Sequence, residues 1–234
     1  MTDWPRVLAH RGASGYRQEN TLPAFREAIA RGCDGIELDL HTTGSGDLVV
    51  IHDPVLPSLG SIAELSLAAV RAISLPDGSR IPTLGEALET IAKAAARENR
   101  QQPVEVWVEI KGLPQSADPA LLDQLSRAGS LIAAAVHSFD HRIVARLGKR
   151  MPELRRGILS ASYPLDPVGQ LKDAGSSALW QEWHLIDAEM VKQVHRAGGE
   201  VIAWTVNDSA AATELARLGV DALCGNWPDQ LKAG

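Results

Sequence analysis

The sequence predicts an α/β fold, a (β/α)8 or TIM barrel with a short helical insertion after the second strand. Short β-rich segments alternate with longer segments of helical periodicity along the 234 residues, and the alternation occurs eight times. Glycines also follow several of the predicted helices directly. An open doubly wound sheet is the alternative, but no G-x-G-x-x-G motif follows the first predicted strand to favour it.

The predicted strands are short runs of apolar and β-branched residues. They lie at 7–10, 35–41, 104–110, 131–137, 154–159, 178–180, 200–204 and 222–224. Each is followed by a segment with apolar residues at helical spacing, at 22–31, 84–99, 119–128, 141–149, 167–174, 188–197, 209–218 and 228–233. Gly32, Gly129, Gly198 and Gly219 stand where a left-handed residue would end four of these helices.

One connection is too long for an ordinary loop between a strand and its helix. It covers about residues 54–82, and its stretch 61–70 has the pattern of a small helix. This stretch is the predicted helical insertion.

The composition is that of a soluble globular protein with one domain, residues 1–234. The chain is 45% hydrophobic and 22% charged, with a net charge of -6. Because it has neither a long apolar stretch nor the residue order of a secretion signal, we expect a cytoplasmic protein with no stable membrane insertion. The acidic balance and the absence of a Lys/Arg run argue against a nucleic-acid partner. The oligomeric state stays open.

Acidic residues lie near the ends of two consecutive predicted strands. Glu37 and Asp39 belong to the second strand, and Glu109 ends the third. Side chains in a strand alternate between faces, so Glu37 and Asp39 project to the same side. In this fold the reacting groups come from the carboxyl ends of the strands, so we expect the three carboxylates to meet there.

Three converging carboxylates repel one another, so a positive charge should lie among them. Carboxylate oxygens favour a hard divalent cation, and Mg²⁺, Ca²⁺ and Mn²⁺ all remain candidates. The sequence therefore predicts a metal site formed by Glu37, Asp39 and Glu109. The alternative is a set of surface ion pairs with Arg11 and Lys111.

Further residues in this region suit work on an anionic substrate. His10 and His52 each end a β-rich run beside other charges, and the ordinary pKa of histidine suits proton transfer near neutral pH. Arg11 and Lys111 can bind a phosphate-like oxyanion. Trp204, at the end of the seventh strand, can form an apolar wall for the carbon skeleton of a substrate.

The segment Glu19-Asn20-Thr21 precedes the first helix, and we interpret Thr21 as its N-cap. For Glu19 and Asn20, capping and a role in the site both remain open.

These residues, in this order, resemble the glycerophosphodiester phosphodiesterase family. The matching segments span nearly the whole chain and are specific as an ordered set. They are Ala9-His10-Arg11-Gly12, Glu19-Asn20-Thr21, Ala24-Phe25, Gly35-Ile36-Glu37-Leu38-Asp39, His52-Asp53-Pro54, Ile81-Pro82-Thr83-Leu84, Glu109-Ile110-Lys111, Ala203-Trp204-Thr205-Val206-Asn207, Gly219-Val220-Asp221 and Pro228-Asp229.

The resemblance implies a TIM barrel that hydrolyses a small-molecule glycerophosphodiester to sn-glycerol 3-phosphate and an alcohol with help from a divalent cation. In that family, positions matching Glu37, Asp39 and Glu109 hold the metal. Positions matching His10 and His52 act as acid and base, and those matching Arg11 and Lys111 contact phosphate.

The chain departs from the family pattern at two places that bear on the pocket. After His52-Asp53-Pro54 it shortens to Pro57-Ser58-Leu59-Gly60-Ser61, where the family has an arginine and paired threonines. Before the last proline, the family's frequent Thr-Asp is Gly225-Asn226, which removes a carboxylate from the rim of the eighth strand.

Two other functions remain as alternatives. One is a related lipid phosphodiesterase of the phospholipase D or C type, which needs an apolar approach surface. The other is a non-catalytic barrel that binds phosphodiesters or metal, against which the intact histidine pair argues.

Overall fold

The computed structural model describes residues 4–56 and 59–232. Its strands are β1 (Arg6–His10), β2 (Gly35–Thr42), β3 (Leu48–Val50), β4 (Val55–Leu56), β5 (Gly60–Ser61), β6 (Val104–Ile110), β7 (Ile132–Ser138), β8 (Arg155–Ser160), β9 (Ala178–Glu182), β10 (Glu200–Trp204) and β11 (Ala222–Gly225). Its α-helices are α1 (Leu22–Ala30), α2 (Leu67–Arg71), α3 (Leu84–Arg97), α4 (Asp118–Ser126), α5 (His141–Arg150), α6 (Pro167–Ala174), α7 (Ala188–Arg196) and α8 (Ser209–Leu218).

Eight of the strands form a closed parallel barrel. Their order around it is β1-β11-β10-β9-β8-β7-β6-β2, and pairing of β1 with β2 closes the ring. The short strand β3 adds antiparallel to β2 outside this ring. The (β/α)8 prediction is therefore confirmed, and Gly219 ends α8 in the left-handed conformation that its position suggested, with φ of 89°.

The insertion differs in detail from the single helix expected at 61–70. A 3₁₀ turn covers Ile62–Glu64, Leu65 is extended, and α2 begins after Ser66. The reason is local, because the Ser66 hydroxyl accepts a hydrogen bond from the N–H of Ala69 at 3.3 Å and so starts a new helix. Pro57 and Ser58, in the shortened part of this connection, lie outside the described residues.

The last predicted helix, 228–233, is a 3₁₀ turn over Pro228–Leu231. Residue 233 lies outside the described residues. Among the described residues, no helix has the length and apolar character needed to cross a membrane.

An apolar layer fills the middle of the barrel. It contains Trp107 and Trp180, whose rings meet edge to face with centroids 5.2 Å apart, together with Leu8, Ile202 and Cys224. All five side chains are buried. The interior at this level is thus a packed core rather than a pore, and it forms a rigid floor beneath the carboxyl ends of the strands.

An ion-pair network closes the opposite end of the barrel. Arg155 contacts Glu200 at 2.6 Å and Glu105 at 2.9 Å, and Arg6 pairs with the same two carboxylates. The guanidinium of Arg155 also lies over the ring of Trp107, 4.8 Å from its centroid. Each carboxylate therefore contacts both arginines, and the two positive charges balance the two negative ones.

We expect Glu200→Ala to lower the free energy of unfolding by about 1–3 kcal/mol, because it leaves Arg6 and Arg155 with one carboxylate between them at a mostly buried position. Glu89→Ala is the matched control, since Glu89 forms an exposed pair with Lys93. That change should cost no more than about 0.5 kcal/mol. Urea unfolding of both variants measures the difference, and equal losses would contradict a structural role for the network.

Candidate active site

Three buried carboxylates meet at the carboxyl ends of β2 and β6. Parallel pairing places Asp39 of β2 opposite Glu109 of β6, and Glu37 lies two residues before Asp39 on the same face. One oxygen from each side chain lies within 4.8 Å of the others. The exposed fractions of Glu37, Asp39 and Glu109 are 2%, 0% and 7%, so the charges are nearly removed from water.

Two cations contact the cluster. Lys111 Nζ lies 3.0 Å from Asp39 Oδ1 and 2.6 Å from Glu109 Oε1. Arg11 Nε lies 3.0 Å from Asp39 Oδ2, and the backbone N–H of Arg11 donates to Glu37 Oε2 at 3.0 Å. Asp39 thus has a cation on each side, whereas Glu37 receives one backbone hydrogen bond.

The pKa shifts of the three carboxyl groups follow the uneven distribution of these positive contacts. Burial, together with repulsion from Asp39 and Glu109, holds the pKa of Glu37 well above its ordinary value. Burial also raises the pKa of Glu109, and Lys111 offsets this in part. Burial acts to raise the pKa of Asp39 as well, but Lys111 and Arg11 outweigh it and the pKa is lowered. Compensation of the negative charge is therefore weakest at Glu37, which has no lysine or arginine side chain in contact within the part of the chain that the structure describes.

The donor set of this cluster fits a hard divalent cation. All three groups offer carboxylate oxygens, which Mg²⁺, Ca²⁺ and Mn²⁺ accept. Glu37 Oε1 is buried and has no hydrogen-bond partner among the described residues. A buried acceptor of this kind is costly unless a positive group faces it.

His10 ends β1 beside Glu37. Its Nε2 lies 4.0 Å from Glu37 Oε2, and its Nδ1 lies 2.8 Å from Asn226 Oδ1. Burial and the charge of Arg11 lower the pKa of His10 to about 4. The imidazole is consequently neutral near neutral pH and can accept a proton.

His52 lies nearer the rim. The backbone around it is held close to the cluster, because the N–H of Ile51 donates to the carbonyl of Asp39 at 3.0 Å and His41 Nε2 donates to the carbonyl of His52 at 3.0 Å. The ring Nδ1 lies 2.8 Å from Asp53 Oδ1. The side chain of His52 is 36% exposed. The structure thus places one histidine against the carboxylates and the other at the solvent boundary.

The segment between β1 and α1 supplies two residues that the predicted site did not include. Asn20 Nδ2 donates to Asp39 Oδ2 at 2.7 Å, and Asn20 Oδ1 accepts from the N–H of Asp39 at 3.2 Å. Glu19 accepts from Arg11 Nη1 at 3.0 Å. Thr21 caps α1, as expected. The sequence does carry an indication of this role, because Glu19 and Asn20 lie on a connection that follows the carboxyl end of a barrel strand, where site residues of this fold are found.

His137 of β7 packs beneath the carboxylates. Its Nε2 lies 3.9 Å from Glu37 Oε1, and its ring lies against Trp180 with centroids 4.1 Å apart. Burial holds the pKa of His137 well below its ordinary value. The ring therefore lies between the apolar floor and the carboxylates.

An aromatic pair lies beside the cluster. Trp204 ends β10 and meets Phe139 edge to face, with ring centroids 5.6 Å apart. Phe139 is 50% exposed. It lines a cavity of about 450 Å³ together with Glu109, Lys111 and Arg142. The site therefore has a charged centre and an aromatic side.

Comparison with known proteins identifies relatives over the full barrel. The model of the glycerophosphoryl diester phosphodiesterase family matches residues 10–230. A putative glycerophosphodiester phosphodiesterase of Bacillus subtilis is 28% identical over 239 residues, which cover 95% of this chain and 95% of the relative. A glycerophosphodiester phosphodiesterase of Caldanaerobacter subterraneus is also 28% identical over 239 residues, covering 96% of this chain and 95% of the relative.

The fold is also shared with a solved structure. The structure of an Oleispira antarctica phosphodiesterase in complex with the product sn-glycerol-3-phosphate has a TM-score of 0.88 and 26% identity, and covers 97% of this chain and 95% of that chain. Because the family model matches most of the sequence and the barrel superposes throughout, this chain belongs to the glycerophosphoryl diester phosphodiesterase family and is a phosphodiesterase.

Proposed function

We propose that this enzyme hydrolyses glycerophosphodiesters to sn-glycerol 3-phosphate and an alcohol, with a divalent cation held by Glu37, Asp39 and Glu109. The observation that carries the proposal is the buried carboxylate trio with its unpartnered oxygen on Glu37. The product bound in the Oleispira antarctica structure supports the substrate class. The shared oxygen chemistry of Mg²⁺, Ca²⁺ and Mn²⁺ keeps all three as candidates.

When bound, a hard divalent cation withdraws electron density from a phosphate oxygen and offsets the charge of the carboxylates. Arg11 and Lys111 lie at the carboxylate cluster, where each is held by a contact to Asp39. Cations that need not move during the reaction can stabilise the charge that develops on the phosphoryl group.

In this proposal, His10 and His52 move the protons. One takes the proton of the attacking hydroxyl, which belongs to water or to the glycerol group of the substrate itself. The oxygen of that hydroxyl bonds to phosphorus as the bond from phosphorus to the leaving oxygen breaks. The other histidine gives a proton to the leaving alcohol. Trp204, backed by Phe139, would contact the carbon skeleton of the glycerol group.

A second candidate is the lipid phosphodiesterase, and the distribution of apolar residues favours it. Among the described residues, the exposed large apolar side chains all lie on connections that follow the carboxyl ends of barrel strands. They are Val55, Leu59, Phe139, Tyr163 and Leu165. An acyl chain leaving the mouth of the barrel would meet such side chains.

Histidine substitution tests the proton transfers. We expect His10→Ala and His52→Ala each to lower kcat for glycerophosphocholine by roughly 10²-fold or more, because each removes a proton carrier. His195→Ala is the matched control, since its ring pairs with Asp221 before the amino end of β11, at the opposite end of the barrel, and is 40% exposed. Release of sn-glycerol 3-phosphate measures all three, and near-wild-type kcat for either site variant refutes its role.

Removal of the cation tests the metal site. A chelator should abolish hydrolysis of glycerophosphocholine, and readdition of Mg²⁺, Ca²⁺ or Mn²⁺ should restore it. Glu109→Gln keeps the shape of the side chain but removes its charge, so we expect about 10²-fold lower kcat that added cation does not restore. Glu89→Gln, on the exposed face of α3, serves as the control. Full activity in excess chelator would contradict the proposal.

A substrate comparison separates the two candidate functions. We expect kcat/KM for glycerophosphocholine to exceed that for lysophosphatidylcholine, because the polar centre recognises the phosphodiester and glycerol groups. A higher value for lysophosphatidylcholine, lowered by Leu165→Ser, would instead support the lipid phosphodiesterase.

A further inference from the structure

Asn226 is the first residue after β11, at the same end of the barrel as the three carboxylates. Its N–H donates to Asn207 Oδ1 at 2.8 Å, and its carbonyl accepts from the N–H of Gly15 at 3.0 Å. A Cβ at Gly225 would lie 1.9 Å from the carbonyl oxygen of Val206, so the chain passes directly against the connection after β10. The backbone of Asn226 is therefore fixed by the loops on both sides.

The side chain of Asn226 contacts the ring of His10. Asn226 Oδ1 lies 2.8 Å from His10 Nδ1. A carboxamide oxygen accepts hydrogen bonds and cannot donate them, so the ring hydrogen belongs on Nδ1. The lone pair is then on Nε2, which lies 4.0 Å from Glu37 Oε2 and thus on the side of the carboxylate cluster.

The backbone of His10 is fixed separately. The hydroxyl of Ser14 donates to the carbonyl of His10 at 2.7 Å, and β1 pairs with β2 at His10 and Glu37. Rotation of the ring about its own bonds is not restrained by these contacts. Among the described residues, Asn226 is the hydrogen-bond partner of the ring.

We propose that Asn226 is a positioning residue, which holds His10 in the tautomer with hydrogen on Nδ1 and presents Nε2 to the reaction centre as the proton acceptor. In this arrangement, the proton of the attacking hydroxyl passes to Nε2 of His10, and the leaving oxygen receives its proton from His52. The inference rests on the proposed function, since it gives a direction to the exchange between the two histidines. Asn226 itself need not touch the substrate.

Nitrogen-15 NMR spectroscopy of the imidazole groups tests the hydrogen bond between His10 and Asn226 directly. In the wild-type protein, His10 should show a protonated Nδ1 and an unprotonated Nε2, with its signals assigned by their loss in His10→Gln. In Asn226→Leu, which removes the acceptor, the signals should shift toward a mixture of tautomers. A wild-type ring with hydrogen on Nε2 would overturn the proposal, and this readout does not depend on whether His10 takes part in catalysis.

Steady-state kinetics with glycerophosphocholine tests whether the contact between Asn226 and His10 affects catalysis. We expect Asn226→Leu to lower kcat by about 10- to 100-fold with KM changed by less than about threefold. Asn226→Asp keeps an oxygen acceptor at this position and should retain kcat within about fivefold of the wild type. A kcat for Asn226→Leu within twofold of the wild type, or equal losses in the Leu and Asp variants, would contradict positioning through the acceptor.

A double variant separates this inference from the proposed function. If Asn226 acts through His10, Asn226→Leu should cost nothing further in the His10→Gln background. Additive losses would overturn the inference while leaving the role of His10 intact. Full activity in His10→Gln would instead reject the proposed function, and the spectroscopic result would still report the contact.

Discussion

The burial of three carboxylates on two neighbouring strands is the constraint on which the rest of the site depends. With oxygens within 4.8 Å of one another, each pair of charged groups repels by about 3–4 kcal/mol at an effective dielectric constant of about 20. Arg11 and Lys111 both contact Asp39, so compensation is weakest at Glu37. The two side-chain cations leave one of the three negative charges without a counter-charge among the described residues, and a bound divalent cation would more than offset it.

The barrel holds the three carboxylates together through the register of its strands and the packed core beneath them. Parallel pairing places Asp39 opposite Glu109 and His10 opposite Glu37, so residues far apart in sequence meet without flexible loops. Trp107 and Trp180 form a packed floor beneath them. The ion pairs at the other end of the barrel are separated from the site by this floor.

Much of this arrangement is predictable because the signals are local. Strand and helix periodicities give the alternation, and strand ends of parallel sheets share one edge, which brings Glu37, Asp39 and Glu109 together. Ser66, which caps α2, lies inside the stretch 61–70 that was predicted as one helix. Helix propensity alone does not show that the helix begins only after this serine. The roles of Asn20 and Asn226 are harder to predict, because their contacts depend on how the loops fold over the carboxyl ends of the strands. In the sequence Asn226 reads as the loss of a carboxylate, whereas the structure makes it the partner of His10.

The central claim is that the three carboxylates gather one hard cation. The most direct test is anomalous diffraction from crystals of the protein grown with Mn²⁺. The account predicts a single strong peak at about 2.0–2.6 Å from oxygens of Glu37, Asp39 and Glu109 together. A well-ordered site without that peak, or a manganese ion bound elsewhere while the trio stays paired with Arg11 and Lys111, would contradict it.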